Sequence, residues 1–185
     1  MHLFGYTALL GGSFDPPHVG HMMVCLYLLE ALAAQEVWMI PAHQHALGKN
    51  LTDFQQRKHM CDLLAAPFGG RVVVKTVEYG TKSSGYTFDT IQLLQQRYQT
   101  HKFVLVIGED ILTEKHLWHR FSDIERLVPV IVLGRQGFNE PGAPPLKLPD
   151  IRSHVLRAQV QLGNSIFGLV PQAIADYIKI AKLYQ

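Results

Sequence analysis

The stretch Gly11–His21, GGSFDPPHVGH, follows a short apolar run at Tyr6–Leu10 that predicts a buried β-strand. Two adjacent glycines directly after a strand allow the backbone to turn tightly and to approach a ligand closely. Pro17 favours the first turn of a helix, where its missing N–H removes no hydrogen bond. The stretch therefore predicts a strand, a glycine turn and a helix that begins close to His18.

The two histidines of this stretch lie three residues apart, which predicts that both face the same side of the first helical turn. A helix N-terminus favours anions through its N–H groups and its dipole. Gly20 removes a side chain where a phosphate chain would have to pass. His18 and His21 could then donate hydrogen bonds to phosphoryl oxygens and offset transition-state charge. One such histidine alone would more simply be an exposed or capping residue, so the whole stretch carries the hypothesis.

Apolar strand patterns alternate with helical patterns along the rest of the chain. Continuous apolar strands separated by helices predict an α/β fold, a Rossmann-like doubly wound parallel sheet of about five strands with helices on both faces. The remaining strands are predicted at Val37–Ile40, Val72–Val77, Phe103–Ile107 and Val128–Leu133, and the helices at Val19–Ala34, Phe54–Ala66, Thr87–Tyr98 and Asp110–Arg126. A loop over residues 136–150 leads to a small C-terminal helical part, with helices near Ser153–Leu162 and Gln172–Ala181.

Length and composition narrow the classes of function. The 185 residues are 48% apolar, which suits one domain over residues 1–185, with a core of residues 1–135 and a C-terminal part of residues 151–185. A net charge of +2 provides no large basic face for nucleic acid, whereas a small anion needs only a local positive pocket. With no signal peptide or membrane span in the pattern, we expect a cytoplasmic protein without a membrane partner. Cys25 and Cys61 are expected to be buried free thiols.

The notable side chains follow the predicted strands. They occur at Gly11–His21, Pro41–Lys49, Gly108–Asp110 and Gly134–Arg135. Ligands of open parallel sheets bind at the carboxyl ends of the strands, so we expect these four clusters to meet in one site.

The stretch Gly11–His21 resembles the HxGH signature of the nucleotidylyltransferase superfamily, and in this form it is similar to the nicotinate (or nicotinamide) mononucleotide adenylyltransferases. The resemblance covers nearly the whole chain. Its further matches are a Pro-Ala loop ending in a basic residue at Pro41–Lys49, Arg57 and Met60 of the next helix, YTxDT at Tyr86–Thr90, IGxD at Ile107–Asp110, Trp118, a strand ending in Arg135, and Leu169–Pro171 with Tyr177-Ile178.

The resemblance implies an enzyme of NAD biosynthesis that transfers AMP from ATP to nicotinate mononucleotide, with Mg²⁺ accompanying ATP and no metal held by the protein. It implies catalytic roles for His18, His21, Lys49 and Arg157. It implies ATP binding by Gly11, Gly12, Ser13, Phe14, His18, His21, Gly108, Asp110, Arg135, Ser153 and Arg157. It implies pyridine-nucleotide binding by Ser13, Phe14, His45, Lys49, Tyr86, Thr87, Trp118 and His119.

Several of these residues also have a simpler explanation. Thr87 could be a helix N-cap with Asp89 in the first turn, and Asp110 could cap the next helix. Trp118 could be a core residue. Lys49, Arg135 and the histidines of the Pro41–Lys49 loop could be solvated side chains.

One segment departs from the family pattern. Where the family has ISSTxIR, this chain has Ile151–Arg157, IRSHVLR, so Arg152 and His154 replace a Ser and a Thr. Ser153 and Arg157 keep their types. The substitution changes the donors available to the β- and γ-phosphates of ATP.

Other functions stay open at this level. The acceptor could be nicotinamide mononucleotide, or the pantetheine phosphate used by a related family that usually has Thr in the position of His18. A metal-dependent hydrolase could use His18, His21, His43 and His45 as zinc ligands. The altered Ile151–Arg157 segment would also suit a nucleotide-binding protein without catalysis. The oligomeric state is likewise open, and a homo-oligomer is possible.

Overall fold

A parallel sheet runs through the computed structural model, which describes residues 2–43, 48, 50–79, 84–113, 115–136 and 147–185. The strands are β1 (Tyr6–Gly12), β2 (Glu36–Pro41), β3 (Val72–Val74), β4 (Lys102–Gly108), β5 (Val130–Arg135) and β6 (Lys147–Leu148). Their order across the sheet is β3-β2-β1-β4-β5-β6, and every neighbouring pair is parallel. The chain thus builds one half of the sheet outward from β1 and the other half outward from β4. The carboxyl ends of β1 and β4 form the crevice where such sheets bind ligands.

The helices alternate with the strands along the chain. They are α1 (Val19–Leu26), α2 (Phe54–Ala65), α3 (Thr87–Arg97), α4 (Asp110–Thr113), α5 (Phe121–Leu127), α6 (Ser153–Gln161) and α7 (Gln172–Ile180). A π-helical turn, Tyr27–Ala31, continues α1, and short 3₁₀ turns cover Ala66–Phe68 and Lys115–Leu117. None of the helices in the described ranges has both the length and the apolar character that crossing a membrane requires.

Strand side chains alternate between two apolar layers, as the two-residue period of a strand requires. Ala8 and Leu10 of β1 face the layer covered by α1, α2, α6 and α7, whereas Leu9 faces the layer covered by α3 and α5. Cys25 of α1 and Cys61 of α2 are buried in the first layer as free thiols, which confirms the prediction. Both faces of the sheet are therefore covered, as the apolar strands predict.

Two predicted elements were wrong, each for a local reason. β3 ends at Val74 rather than Val77, because the next N–H that β2 would donate belongs to Pro41, which has none. The predicted helix Asp110–Arg126 is interrupted, and Arg120 takes a left-handed conformation (φ 57°) immediately before α5. The helical pattern in the sequence did not show these breaks.

The sheet also has a sixth strand, inside the segment that the sequence predicts as a loop. β6 is only two residues long, so it has no periodicity to detect. Leu148 is nevertheless buried in the first apolar layer, and its carbonyl accepts a hydrogen bond from the N–H of Gln136 at 2.9 Å. The segment therefore returns to the sheet edge before α6 begins.

The helices α2 and α3 begin with different kinds of N-cap residue. Asp53 caps α2, with its carboxylate accepting hydrogen bonds from the N–H groups of Gln55 and Gln56. The N-cap of α3 is Tyr86 rather than Thr87, because the first helical bond runs from the Thr90 N–H to the Tyr86 carbonyl. Thr87 is then the first residue of the helix.

Candidate active site

A pocket of about 610 Å³ opens at the carboxyl ends of the central strands. Its volume lies within the usual range for small-molecule sites. It brings together many of the residues that the sequence predicts for the site, from four separate segments: Gly11, Gly12, Ser13, His18, His21, Tyr86, Thr87, Gly108, Asp110, Trp118 and His119. Ala42 and Gly134 also line the pocket, so described residues of all four predicted clusters meet at this edge of the sheet.

The two histidines lie side by side at the start of α1. His18 is the N-cap residue, in an extended conformation, and its ring centroid lies 3.8 Å from that of His21. The backbone N–H of His18 donates to Nδ1 of His21 at 3.1 Å. Because Nδ1 of His21 accepts this bond, the neutral ring carries its proton on Nε2. The N–H donor of His21 is therefore on Nε2, the ring nitrogen that does not bond to the helix start.

The first amide of α1 is already bonded within the protein. The Val19 N–H donates to the Leu169 carbonyl at 2.9 Å, which ties the helix start to the segment before α7. The imidazole rings, more than this amide, are thus the donors that α1 can present to an anion in the pocket.

Gly20 and Gly108 leave space for the side chains of His18 and Asp110. A Cβ on Gly20 would lie 3.0 Å from Nδ1 of His18, so the ring of His18 occupies the space that a larger residue would fill. A Cβ on Gly108 would lie 2.3 Å from Oδ1 of Asp110, so the close approach of that carboxylate also requires glycine. The motifs therefore need glycine for packing and not only for turning.

The loop between β1 and α1 is buried and held from several sides. Phe14 has a left-handed backbone (φ 49°), is 2% exposed, and contacts the ring of His21 edge-on at 4.9 Å between centroids. Phe14 therefore lies beneath the histidines and supports one of them, instead of lining the pocket itself. The buried carboxylate of Asp15 accepts a hydrogen bond from the Thr52 N–H.

A buried arginine fastens the same loop to α2. Arg57 donates to the carbonyls of Ser13 and Thr52, each at 2.8 Å, and is 1% exposed. Burial lowers the pKa of its guanidinium, and the nearby charge of Asp15 opposes this shift. Arg57 thus holds the backbone that precedes His18, a contribution that the sequence match alone did not indicate.

Ser153 and Arg157 also bind this loop. The Ser153 hydroxyl donates to the Pro16 carbonyl at 2.9 Å, and Nη1 of Arg157 donates to the Asp15 carbonyl at 2.6 Å. Both side chains of α6 therefore lie beside the loop and outside the residues that line the pocket. Their predicted contact with phosphates is not shown and stays a prediction.

The substituted residues of the α6 start have different surroundings. Arg152 is the N-cap of α6, and its Nε donates to both carboxylate oxygens of Asp150, at 2.9 and 3.0 Å. This ion pair raises the pKa of Arg152, chiefly through the hydrogen bond to Asp150. His154 is exposed.

Aromatic side chains line the far end of the pocket. The rings of Tyr86 and His119 stack at 4.5 Å between centroids, at the start of α3 and before α5 respectively. Trp118 is partly buried and contacts Phe121 edge-on at 5.7 Å. Trp118 thus both packs on the second apolar layer and lines the pocket, so the core and ligand explanations are compatible.

Three predicted site residues cannot be compared with this geometry. His45 and Lys49 lie outside the described residues, and the structure describes the backbone but not the side chain of Arg135. Their roles stay predictions.

Sequence reasoning missed Glu78, a buried carboxylate that lines the pocket. Its Oε1 accepts a hydrogen bond from the Thr90 hydroxyl at 2.8 Å, and its Oε2 accepts one from the His43 N–H at 3.2 Å. Glu78 therefore links the segment after β2 to α3. A charged residue soon after an apolar strand was the only available signal, and it does not distinguish a buried residue from an exposed one.

Across the described ranges, no three histidine, cysteine or acidic side chains are arranged to hold a metal ion. That part of the chain offers no ligand set for the zinc hydrolase alternative.

Comparisons with known proteins find relatives that match most of the chain. The cytidylyltransferase-like family model matches residues 9–169. A protein of Anaeromyxobacter dehalogenans named probable nicotinate-nucleotide adenylyltransferase is 40% identical over 181 residues, covering 96% of each chain. A protein of the same name from Myxococcus xanthus is 37% identical over 178 residues, covering 96% of this chain and 94% of that one.

Solved structures share the fold. The nicotinic acid mononucleotide adenylyltransferase of Plasmodium falciparum, complexed with NaAD, matches with a TM-score of 0.83 and 20% identity over 97% of each chain. A putative nicotinate-nucleotide adenylyltransferase of Vibrio parahaemolyticus matches with a TM-score of 0.76 and 20% identity, covering 98% of this chain and 96% of that one. At this identity, the two structures support the fold alone.

Proposed function

Since this chain belongs to the cytidylyltransferase-like family, we propose that it is an enzyme that transfers the AMP group of ATP to nicotinate mononucleotide. The products are deamido-NAD and pyrophosphate, in a step of NAD biosynthesis. The observation that carries this proposal is the pair of imidazole rings, 3.8 Å apart, at the start of α1 in a pocket of about 610 Å³. ATP and pyridine mononucleotides are metabolites of the cytoplasm, and we expect the enzyme to work there.

The reaction requires positioning and charge stabilisation more than proton transfer. An oxygen of the mononucleotide phosphate attacks the α-phosphorus of ATP while the bond to pyrophosphate breaks in line. The attacking phosphate is already ionised near neutral pH, so the enzyme needs no general base. Orientation of the two phosphates and donors aimed at the developing charge then supply the rate enhancement.

The histidines have separate roles in this proposal. His21, with its Nε2–H donor, faces the α-phosphate and the charge that builds there in the transition state. His18 binds an ATP phosphate beside it. Gly11 and Gly12 allow the nucleotide to approach the end of β1, and Gly108 and Asp110 contact the ribose at the end of β4.

The leaving pyrophosphate requires positive charge. Lys49 and Arg157 are the proposed sources, with the Ser153 hydroxyl as a donor. Because Arg157 and Ser153 bind loop carbonyls in this structure, they would have to reach the phosphates from those positions or exchange these bonds for phosphate contacts. Arg135, at the end of β5, is proposed to lie near the adenine.

Magnesium is proposed to enter with ATP. Mg²⁺ keeps several waters and binds substrate phosphates with few protein ligands. The pocket lining includes the carboxylates of Asp110 and Glu78, and the proposal assigns neither of them to the metal. Bound to the phosphates, the ion neutralises part of their charge.

The aromatic end of the pocket is the proposed pyridine site. Trp118 offers a flat ring to a pyridinium, which is cationic and π-rich. Tyr86, Thr87 and His119 surround it, and the predicted ligands His45 and Lys49 belong to the loop after β2. The names of the relatives favour a nicotinate over a nicotinamide acceptor.

A comparison of acceptors tests the proposal. Purified protein with Mg-ATP is supplied in turn with nicotinate mononucleotide, nicotinamide mononucleotide and pantetheine phosphate, and pyrophosphate release is measured. We expect the highest kcat/KM with nicotinate mononucleotide, and formation of deamido-NAD. Preference for either other acceptor would replace the proposed substrate. ATP binding without pyrophosphate from any acceptor would favour a nucleotide-binding protein without catalysis.

A further inference from the structure

Asp15 is a buried carboxylate at the centre of the loop that joins β1 to α1. It is 2% exposed and lies three residues before His18. A buried carboxylate needs hydrogen bonds or opposite charge to offset its lost hydration. Asp15 therefore depends on the groups that surround it, and those groups come from distant parts of the chain.

One of these groups is the hydroxyl of Tyr184, which follows α7. It donates to Oδ1 of Asp15 at 2.6 Å, across 169 positions of sequence. The Thr52 N–H donates to the other oxygen, Oδ2, at 3.1 Å. Burial and the hydrogen bond to Asp15 both raise the pKa of Tyr184, so its hydroxyl remains a donor across the range of pH in which enzymes are assayed.

The loop that receives this bond is the one that sets the histidines. Arg57 holds the Ser13 carbonyl and Arg157 holds the Asp15 carbonyl, on either side of the tyrosine contact. Phe14, between them, supports the ring of His21. Nη1 of Arg157 also lies 4.0 Å from Oδ2 of Asp15, so this arginine contributes positive charge beside the carboxylate. Tyr184 supplies the short side-chain hydrogen bond to the carboxylate, at 2.6 Å, and Arg57 holds the backbone alone.

We infer that Tyr184 is a positioning residue for the transfer reaction, acting through Asp15 on the loop that places His18 and His21. This inference rests on the proposed function. Loss of the hydroxyl would remove one hydrogen-bond donor from a buried carboxylate. The loop could then move so that the carboxylate accepts from a different donor. A displacement of about 1 Å at the reacting groups can cost about 100-fold in rate.

The substitution Tyr184→Phe removes the hydroxyl and keeps the ring. We expect kcat for AMP transfer to fall about tenfold, with KM for ATP changed less than twofold. The split is expected because His21, whose ring Phe14 of this loop supports, acts mainly on the charge of the transition state. Activity is measured well below the melting temperature of each variant, so that a loss of stability alone does not lower it.

Tyr177→Phe is the matched control. Tyr177 lies in α7, and its hydroxyl donates to Oε1 of Gln56 on α2. This variant therefore also loses a tyrosine hydrogen bond of the C-terminal part, but one made to α2 and not to the loop. It leaves Asp15 untouched. We expect a similar melting temperature in the two variants and wild-type kcat in Tyr177→Phe.

A second variant tests the coupling through Asp15. Asp15→Asn keeps the shape of the side chain and an acceptor for Tyr184, but it cannot accept from both donors. If the two residues act together, the double variant should lose less kcat than the product of the single losses. Multiplicative losses, or wild-type kcat in Tyr184→Phe, would overturn the inference.

These outcomes are separate from those of the proposed function. A wild-type protein that transfers AMP to no acceptor would contradict the proposed function. A wild-type protein that is active, together with a Tyr184→Phe variant that differs only in melting temperature, would contradict the role of Tyr184 alone.

Discussion

His21 combines three features that a donor to a transition state needs. Its ring lines the pocket, it is held edge-on by Phe14, and its Nδ1 accepts the His18 N–H, which fixes the proton on Nε2. The first two features fix where the ring lies, and the third fixes which atom donates. Preorganised donors of this kind stabilise charge without rearranging during the reaction.

The substitution His21→Ala should therefore lower kcat by about 10²–10³-fold, the usual cost of losing one such donor. The measurement is steady-state pyrophosphate release with saturating Mg-ATP and nicotinate mononucleotide. His59→Ala, on the exposed side of α2 and outside the pocket, is the control and should keep wild-type turnover. Wild-type-like turnover in His21→Ala would refute the role assigned to this residue.

At the scale of single residues, the sequence predicted which residues belong to the site better than it predicted which groups they contact. Spacing alone indicated that His18 and His21 share a face, because a helical turn fixes that relation. Spacing could not indicate that Ser153 and Arg157 bind the carbonyls of Pro16 and Asp15, since those partners lie far away in the chain.

At the start of α1, helix stability and the packing of the His18 ring favour different residues at position 20. Alanine is a better helix former than glycine by about 1 kcal/mol, so Gly20 lowers the intrinsic stability of the helix. The glycine is explained by the His18 ring, which occupies the space a Cβ would take at 3.0 Å. Gly20 thus lowers the stability of the helix but leaves the space in which the His18 ring lies.

The substitution Gly20→Ala should separate these two effects. We expect a folded protein with an unchanged or higher melting temperature and a kcat lower by about 10- to 100-fold, because the added methyl group displaces the His18 ring. Thermal unfolding and pyrophosphate release measure the two quantities. Leu26→Ala, at an exposed position of the same helix, controls for general changes in α1. A variant with both higher stability and full activity would show that His18 does not need its observed position.

Long apolar runs predicted the central strands, whereas elements that depend on contacts outside their own segment were not predicted correctly. The apolar runs of β1, β2 and β4 predicted buried strands because both faces of the sheet are covered. The two residues of β6 and the early end of β3 depend on pairing with a neighbouring strand, which a pattern within one segment does not contain.

The whole molecule forms its pocket where the order of the strands changes direction. β1 pairs with both β2 and β4, so the segments after β1 and β4 diverge and leave a crevice between them. The sequence predicted that the clusters would meet at one edge, since all parallel strands end there. It could not give the strand order, or the contribution of Tyr184 to the loop beside that crevice.

The proposed reaction depends on binding of the triphosphate at the start of α1. The most direct measurement is a crystal structure of the protein with a non-hydrolysable ATP analogue and Mg²⁺. We predict the α-phosphate within hydrogen-bond distance of the His21 ring, with His18 beside the phosphate chain and the adenine towards the end of β5. A triphosphate bound elsewhere, away from both imidazoles, would contradict the proposed reaction.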